Sequence, residues 1–253
     1  MGFKTAGADL ALKGGVLAGN RWLAAMSSAT VELSGSSYAR NPVALSDWVR
    51  SAVLNETHRY ITRATEDFPL PTGAWANWTH WGLHGAVSGT AALYYVGALT
   101  SGGGAAQIGA AVGWNAGDLG LGFTGAVTPA GSIKALVEGL LSGTRRLSIH
   151  DDDPANPQDH LIDDAIPVVA GDWTLDNFST TRRRARNNKI LSFGAAATDP
   201  ARPVWVAISD GTASSDDVLW KDMFDSQAQD PALGDTISFG MNVLDIRVVK
   251  DAA

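Results

Sequence analysis

The chain contains no cysteine among its 253 residues. It can therefore form neither a disulfide framework nor a thiolate metal site, so the sequence gives no disulfide argument for secretion. Long apolar runs are also missing, because no stretch approaches the roughly 20 apolar residues that a transmembrane helix needs. The opening residues, Met-Gly-Phe-Lys-Thr-Ala, do not form an apolar signal core. We expect no membrane partner.

An excess of basic residues is absent as well. The chain has 19 Lys and Arg against 26 Asp and Glu, which gives a formal net charge of −7. Residues 1–125 contain seven basic and seven acidic side chains, so residues 126–253 contain the other twelve and nineteen. Phosphate binding requires a positive field. The charge balance therefore predicts no nucleic-acid partner.

Catalytic motifs are the third absence. The sequence has no P-loop, no G-x-G-x-x-G after a strand, no H-E-x-x-H and no G-x-S-x-G. Histidine occurs five times without a Ser or Cys partner arrangement, at His58, His80, His84, His150 and His160. Scattered carboxylates leave a glycosidase pair as an alternative, but nothing selects two of them. We therefore expect no catalytic residue, no bound cofactor and no enzymatic activity.

A repeat is what the sequence does have. Residues 4–23 superpose on residues 128–147 at a shift of 124 without a gap, and eight identities follow: Ala6, Gly7, Leu12, Gly15, Leu17, Gly19, Arg21 and Leu23. At a shift of 125, the set Pro42, Val43, Asp47 and Trp48 recurs. These matches predict a tandem duplication with domains at residues 1–125 and 126–253, a usual size for an independent core.

The repeated stretch predicts a helix, most clearly in the second copy. Thr128 is placed to cap it, Pro129 suits the first turn, and Gly143 suits the left-handed stop after the last turn. Apolar residues follow at helical spacing, at Ile133, Leu136, Val137, Leu140 and Leu141. We expect this stripe to be buried, because so short a helix is not stable alone in water.

The remainder of each copy has the pattern of short strands. Val204, Val206 and Ile208 alternate with other residues on one face, and Gly-containing turns recur about every ten residues. Near the carboxyl end the alternation changes phase, which predicts a bulge or tight bend near Asn242. The expected fold is mainly β: two tandem antiparallel β-sandwich-like domains, each with a short N-terminal helix.

The densest set of oxygen ligands is the acidic loop of residues 150–164. It runs from His150 through Asp151, Asp152 and Asp153 to Asp163 and Asp164. Calcium prefers such oxygens, yet the spacing does not match a calcium-binding loop and two prolines stiffen the run. A solvated acidic loop is the favoured interpretation, with a metal site as the alternative.

Arginine is concentrated in residues 182–186, with the sequence Arg-Arg-Arg-Ala-Arg. A charged edge strand resists unwanted pairing. We favour an edge strand or an interface with an acidic protein surface over a phosphate contact.

Tryptophan recurs every three residues at Trp75, Trp78 and Trp81. Exposed, these indoles could stack on glycan, whereas core or interface tryptophans are more common. Six of nine Trp and all four Tyr lie in residues 1–125. Interfaces are enriched in aromatics, so we expect the first copy to make the larger contact with neighbouring proteins.

Several motifs resemble a known family. They are Val127-Thr-Pro-Ala-Gly131, His150-Asp-Asp-Asp-Pro154, Gly234-Asp-Thr-Ile-Ser-Phe239 and, in the first copy, Gly35-Ser-Ser-Tyr-Ala-Arg-Asn-Pro-Val43. Together they resemble virion structural proteins of tailed bacteriophages, of the tail-fibre or minor tail type. Each copy keeps different parts of the pattern.

The resemblance implies assembly rather than chemistry, since none of these motifs is catalytic. The expected function is that of a non-enzymatic virion protein in the tail fibre, tail tip or minor tail, with other virion proteins and sister subunits as partners. A capsid decoration or head-fibre protein is the alternative, as is a carbohydrate-binding module that contacts a host surface glycan. The expected location is the virion, after assembly in the bacterial cytoplasm.

Overall fold

The structure is a computed structural model, and it describes residues 2–3, 5–35, 37–51, 60–99, 103–122, 127–177, 183–195, 203–224, 232 and 235–247. It confirms the expected fold class. The chain is mainly β, the described strand pairs are antiparallel, and a short helix begins each copy. The described part contains no helix with the length and apolar character needed to cross a membrane.

The strands are short and follow one another along both copies. Those of the first copy are β1 (Gly2–Phe3), β2 (Arg21–Met26), β3 (Asn41–Val43), β4 (Trp48–Arg50), β5 (Tyr60–Thr62), β6 (Glu66–Asp67), β7 (Trp75–Trp78), β8 (His80–His84), β9 (Leu93–Ala98), β10 (Gly104–Ala106), β11 (Gly113–Trp114) and β12 (Gly120–Leu121). Those of the second copy are β13 (Arg145–His150), β14 (Ile166–Val168), β15 (Trp173–Asn177), β16 (Arg183–Asn187), β17 (Leu191–Ala195), β18 (Trp205–Ser209), β19 (Val218–Met223), β20 (Thr236–Phe239) and β21 (Asp245–Arg247).

Two helices open the copies, and each changes its winding midway. The first, α1 (Thr5–Asp9), continues as a π-helical stretch, Leu10–Val16. The second, α2 (Pro129–Ile133), continues likewise as Lys134–Leu140. The predicted cap is confirmed, since the Thr128 hydroxyl accepts the Gly131 N–H at 3.1 Å. The predicted stop is confirmed too, because Gly143 has a φ of 76°.

The compact units of the structure do not coincide with the two copies. Unit 1 comprises Met1–Gly15 together with Ala135–Ala253, and unit 2 comprises Val16–Lys134. The expected division near residue 125 falls in a stretch outside the described residues. The structure groups the chain differently because the helix that begins each copy packs on the sheet of the other copy: α1 packs on β19, and α2 packs on β9.

The main sheet of unit 2 has the order β3-β2-β8-β9. Val127, just before α2, bridges Tyr95 on the outer side of β9. The opposite edge strand, β3, carries the exposed Pro42, which cannot donate to a further strand. Smaller sheets, β4-β5-β12, β6-β11 and β7-β10, complete the unit. One edge of the main sheet is thus covered by the helix start and the other is blocked by proline.

The main sheet of unit 1 repeats this plan with the order β1-β19-β18-β13-β14. Here β1 pairs with the outer side of β19, with Gly2 opposite Lys221 and Phe3 opposite Trp220. The far edge strand, β14, carries the exposed Pro167. The sheets β15-β16-β21 and β17-β20 complete the unit. Both main sheets therefore close their edges in the same way.

The registers also match between the copies. Arg21 pairs with Val43 on β2 and β3, as Arg145 pairs with Val168 on β13 and β14. The β8–β9 and β18–β19 pairs each have a register shift at the last paired residue of β8 or β18. The two copies consequently fold into the same arrangement of paired strands, as the sequence repeat predicts.

The predicted bend near Asn242 is confirmed. Asn242 has a φ of 64° and lies between β20 and β21, where its N–H bonds the Asn187 carbonyl at 2.8 Å. Gly117 has the matching place in the first copy, with a φ of 86° and a bond from its N–H to the Thr62 carbonyl at 2.9 Å. Left-handed backbone at this corner redirects the strand in both copies.

The predicted helix stripe is only partly buried. Leu136, Leu140 and Leu141 are fully buried, whereas Ile133 is 37% exposed and Val137 is intermediate. The π-helical winding explains the difference, because Leu141 N–H bonds the Leu136 carbonyl, five residues back, at 2.8 Å. A wider turn moves the buried face away from the spacing of a regular α-helix.

Two facing glycines give a first prediction within unit 1. A Cβ on Gly14 would stand 3.7 Å from Gly139 Cα, an ordinary contact, whereas a Cβ on Gly139 would stand 2.7 Å from both Ala11 Cα and Leu10 O. Gly14→Ala should therefore raise the free energy of unfolding by about 0.5–1 kcal/mol through helix propensity. Gly139→Ala should lower it by roughly 1–3 kcal/mol through overpacking. Urea denaturation of both variants compares them; equal effects would contradict the close helix contact.

Candidate functional site: the docking edges of the two main sheets

The most specific contacts of the fold lie where the helix starts meet the sheets. We call β9 of unit 2 and β19 of unit 1 the docking edges. Residues 127–133 are the docking segment of β9, and residues 2–9 are the docking segment of β19. In unit 2 the Thr128 N–H donates to the Tyr94 carbonyl at 3.1 Å, and the Thr128 hydroxyl donates to the Leu93 carbonyl. The residue that caps the helix therefore also attaches it to the docking edge.

Glycine is required in both docking segments. A Cβ on Gly131 would overlap the backbone carbonyl of Tyr94, and a Cβ on Gly7 would overlap that of Leu219. Gly7 and Gly131 match at the shift of 124, and Tyr94 and Leu219 match at 125. In each unit the helix backbone thus touches the strand backbone directly, which only glycine permits.

The two docking edges differ in side-chain chemistry. The Tyr94 ring lies 4.7 Å from the Arg21 guanidinium carbon and 5.8 Å from the Lys134 ammonium, within reach of cation–π attraction. In unit 1 the positions of Tyr94 and Lys134 are taken by Leu219 and Leu10. The docking edge of unit 2 thus carries a tyrosine with two cationic neighbours where the docking edge of unit 1 carries a leucine.

The tryptophans are not a glycan platform. Trp75, Trp78 and Trp81 are 3%, 7% and 1% exposed. The strand breaks at Thr79, so that Trp81 lies on β8 and the other two on β7. Trp75 packs edge to face on Phe68, with ring centroids 6.0 Å apart. The glycan hypothesis for these residues is wrong because their faces are buried in the core of unit 2.

The same observation removes the argument for a larger contact through the first copy. Of its six tryptophans, Trp48 and Trp114 are also buried, at 6% and 1% exposure. Trp114 stacks edge to face with Phe68 at 4.9 Å. The excess of aromatics in residues 1–125 therefore builds an aromatic core and is not evidence for an interface.

The acidic loop of unit 1 is fastened at its base. His150 is fully buried; its Nδ1 lies 2.7 Å from the Asp159 carbonyl and its Nε2 lies 2.8 Å from the Ser148 hydroxyl. Burial lowers the pKa of His150, so the ring is neutral. Lys221 donates to the Pro154 carbonyl at 2.9 Å. Within the described residues, no three His, Asp or Glu side chains group as metal ligands.

The arginine run is not an edge strand. Arg184 and Arg186 lie on β16, which has β15 on one side and β21 on the other. Arg184 contacts Asp245 at 2.9 Å and Asp176 at 3.2 Å, and Arg186 also contacts Asp176. Acidic partners on both flanking strands neutralise the run, which lets it occupy the centre of a sheet. Arg182 lies outside the described residues.

A buried ionic cluster in unit 2 was not foreseen from the sequence. Arg40 Nε and Nη2 donate to Glu32 at 2.8 and 2.6 Å, and the Tyr38 hydroxyl donates to the same carboxylate at 3.0 Å. The Arg40 guanidinium also donates to the carbonyls of Ala86 and Gly89 at 2.7 and 2.9 Å. The motif of residues 35–43 contributes Tyr38 and Arg40, which join two loops to one carboxylate.

The titration of this cluster argues against acid–base chemistry. Hydrogen bonds and charge from Arg40 and Tyr38 outweigh the burial of Glu32 and hold its pKa below the usual value. Burial, followed by the charge of Glu32, raises the pKa of Tyr38 far above normal. Burial, with repulsion from Arg40, lowers the pKa of His84. Near neutral pH the Glu32 carboxylate is therefore ionised, the Tyr38 hydroxyl is protonated and the His84 ring is neutral.

Arg40→Lys is the second prediction. Lysine cannot form the bidentate contact or reach both loop carbonyls, so the variant should lose about 2 kcal/mol of unfolding free energy. Chemical denaturation measures the loss. Arg63→Lys changes an exposed arginine of the same unit and should alter stability by less than about 0.5 kcal/mol. An equally small loss for Arg40→Lys would contradict the cluster.

Glu66 is a second buried acid of unit 2. It is 7% exposed and lies opposite Trp114 on the β6–β11 pair. Burial, then repulsion from Asp47, raises its pKa to about 7, although Asn41 donates to it at 3.1 Å. The matching residue of unit 1 is Leu191, which lies opposite Phe239. One copy therefore holds a titratable group where the other holds an aliphatic one.

Glu66→Leu is the third prediction. The pKa of Glu66 is raised on folding. Its favourable contribution to the free energy of unfolding is therefore complete below the pKa of the unfolded chain, near 4.5, and is lost as pH rises through about 7. The stability gained by Glu66→Leu should therefore increase by about 2 kcal/mol between pH 4.5 and pH 8. Urea titrations at both values measure it. An equal gain at both pH values for Glu66→Leu would refute the raised pKa.

No family model matches this sequence, and neither a curated protein nor a solved structure matches it. The chemistry of the site must therefore be judged from the residues themselves. What the described residues offer is backbone-to-backbone docking at two sheet edges and, elsewhere in the units, ion pairs that join strands and loops. This arrangement holds protein segments together.

Proposed function

We propose that the chain is a non-enzymatic structural protein of a tailed-bacteriophage virion, a component of the tail fibre, tail tip or minor tail. It acts by protein–protein assembly, and its partners are other virion proteins and sister subunits. The observation that carries the proposal is the docking of each helix start on the sheet of the other copy. Such docking is a means of joining protein segments and involves no reacting group.

The motifs that carry the family resemblance support this role, because their residues make structural contacts. Thr128 and Gly131 attach a segment to a docking edge, and Tyr38 and Arg40 fasten two loops. His150 anchors the acidic loop. Every one of these residues stabilises a connection between parts of the chain, as expected of a protein that transmits load in a particle.

A hydrolase is the rival from another class, and Glu66 is the residue nearest to an acid catalyst in its pKa of about 7. Its 7% exposure keeps the carboxyl largely inaccessible to a polymer in solution. The ionised Glu32 accepts two hydrogen bonds from Arg40 and one from Tyr38, which hold the carboxylate in a structural role. Glu66 is better explained as part of the core, and Glu32 as the acidic partner of Arg40.

Mass spectrometry of gradient-purified virions tests the proposal, combined with immunogold labelling of the chain in electron micrographs. We expect the chain in stoichiometric amount and gold at the tail. Gold on the head would favour capsid decoration instead. Absence of the chain from purified particles would overturn the virion assignment.

A further inference from the structure

Unit 1 is built from two separate pieces of chain. Met1–Gly15 and Ala135–Ala253 belong to it, and residues 16–134, the whole of unit 2, lie between them in sequence. The docking segment of unit 2, residues 127–133, differs in this respect, because it belongs to the same continuous piece of chain, Val16–Lys134, as β9. The N-terminal docking segment is therefore tied to its docking edge through a complete folded unit, so its docking resembles binding between two tethered partners.

Glycines mark the point where the chain passes from unit 1 to unit 2. Gly14 and Gly15 end the part of the helix that belongs to unit 1, inside the π-helical stretch Leu10–Val16. The matching residues in the second copy are Glu138 and Gly139, so the double glycine occurs in the first copy only. Glycine is about 1 kcal/mol less favourable than alanine in a helix. The connection of the N-terminal segment is therefore the more easily reoriented of the two.

The docking edge β19 is also the edge of its sheet that can accept a strand. Its backbone pairs with β1 through Lys221 and Trp220, whereas the opposite edge strand carries Pro167. The contacts it makes are with backbone and with Gly7, and an identical segment from another molecule offers the same groups. No new interface is needed for a second molecule to supply them.

We propose that β19 of one molecule binds the N-terminal segment, residues 1–15, of a second copy of this chain, so that molecules assemble by segment exchange. This inference rests on the proposed assembly role and names one of its partners. Closed monomers and exchanged assemblies contain the same β1–β19 contacts. The balance between them is set by protein concentration relative to the effective concentration of the tethered segment, on the order of 1 mM.

The absence of cysteine makes the test direct. Two single-cysteine chains, Phe3→Cys and Trp220→Cys, are mixed, unfolded, refolded together and oxidised, because these positions lie opposite each other on β1 and β19. A disulfide in excess of unspecific cross-linking forms between them if one molecule's segment docks on another molecule's β19. A second pair, Gly2→Cys and Lys221→Cys, repeats the test at the neighbouring position. It is needed because the Cα–Cα distance alternates between adjacent residue pairs of antiparallel strands, so that one of the two pairs suits a disulfide better.

The matched control uses the docking edge of unit 2. Val127→Cys and Tyr95→Cys, again on separate chains, are opposite each other but belong to one continuous segment of chain. A chain carrying both Phe3→Cys and Trp220→Cys reports docking within one molecule. Non-reducing electrophoresis and light scattering then measure the disulfide-linked dimer at each protein concentration.

We expect the fraction of chains in the 3–220 dimer to increase by much more than tenfold between 10 µM and 1 mM, as mass action requires when the effective concentration is on the order of 1 mM, with little of the 127–95 dimer. Closure of the double-cysteine chain without any 3–220 or 2–221 dimer at either concentration would overturn segment exchange. Equal amounts of the 127–95 dimer would do the same, since they indicate unspecific association. Either failure leaves the virion assignment to be judged separately by mass spectrometry of particles.

Discussion

A fragment of residues 16–134 should fold, and a fragment of residues 1–125 of nearly the same length should not. The first coincides with unit 2, including the segment that docks on β9. The second lacks that segment and carries instead residues 1–15, whose docking edge, β19, is absent. We expect a cooperative thermal transition with β-type circular dichroism for 16–134, and a broad or absent transition for 1–125.

The size of the effect follows from the lost contacts. Val127 is 5% exposed, and burying a valine side chain contributes about 1.5 kcal/mol or more. The hydrogen bonds from Thr128 to the carbonyls of Tyr94 and Leu93 contribute about 1 kcal/mol each. A loss of about 3 kcal/mol or more is a large share of the roughly 5–15 kcal/mol that stabilises a domain.

Two further fragments serve as controls. Residues 1–134 should be as stable as 16–134, because the N-terminal segment has no docking edge in either fragment. Residues 16–125 should be as unstable as 1–125 for the same reason. Comparable stability of 1–125 and 16–134 would mean that the helix start of the second copy is not needed by the sheet of the first.

Local signals in the sequence predicted the helix ends and the strand corners. Thr128 and Gly143 act through contacts or backbone angles within a few residues, so the pattern contains the information. The bend at Asn242 was visible because a change of strand direction shifts the alternation of apolar residues. These features are determined by neighbours in the chain, and a single sequence is enough to locate them.

The choice of partner sheet could not be predicted in this way. Both copies contain the same docking glycine and similar strands, so the repeat is compatible with each helix packing on its own copy or on the other. One difference between the two edges is that Leu219 lies on one and Tyr94, beside Lys134, lies on the other. Residues more than 30 positions apart supply it, and the sequence pattern does not connect them.

The differences between sequence and structure at the candidate sites have a common physical origin. A run of arginines is typical of an exposed edge strand, and the pattern does not show that the acidic partners Asp176 and Asp245 come from two other strands. The spacing of the tryptophans is compatible with a glycan platform, but it contains no information about the burial of their rings. Composition and spacing identify polar or aromatic residues, but the residues that neutralise or bury them are determined by the fold.

The second large effect is expected from alanine at the two docking glycines. Gly7→Ala should displace the helix from the Leu219 carbonyl, and Gly131→Ala should displace the other helix from the Tyr94 carbonyl. Because backbone rather than a flexible side chain occupies the space, each substitution should cost its unit roughly 2–4 kcal/mol. Gly14→Ala, which has room for its methyl group, is the matched control.

Amide hydrogen exchange of these full-length variants, followed by mass spectrometry, tests most directly whether each helix start packs on the sheet of the other copy. Gly7→Ala should accelerate exchange in β19, Val218–Met223, by roughly tenfold or more, and should leave β9, Leu93–Ala98, unchanged. Gly131→Ala should do the reverse. If Gly7→Ala instead accelerated exchange in Leu93–Ala98 and spared Val218–Met223, each helix would be packing on its own copy, which would contradict the docking of α1 on β19 and of α2 on β9.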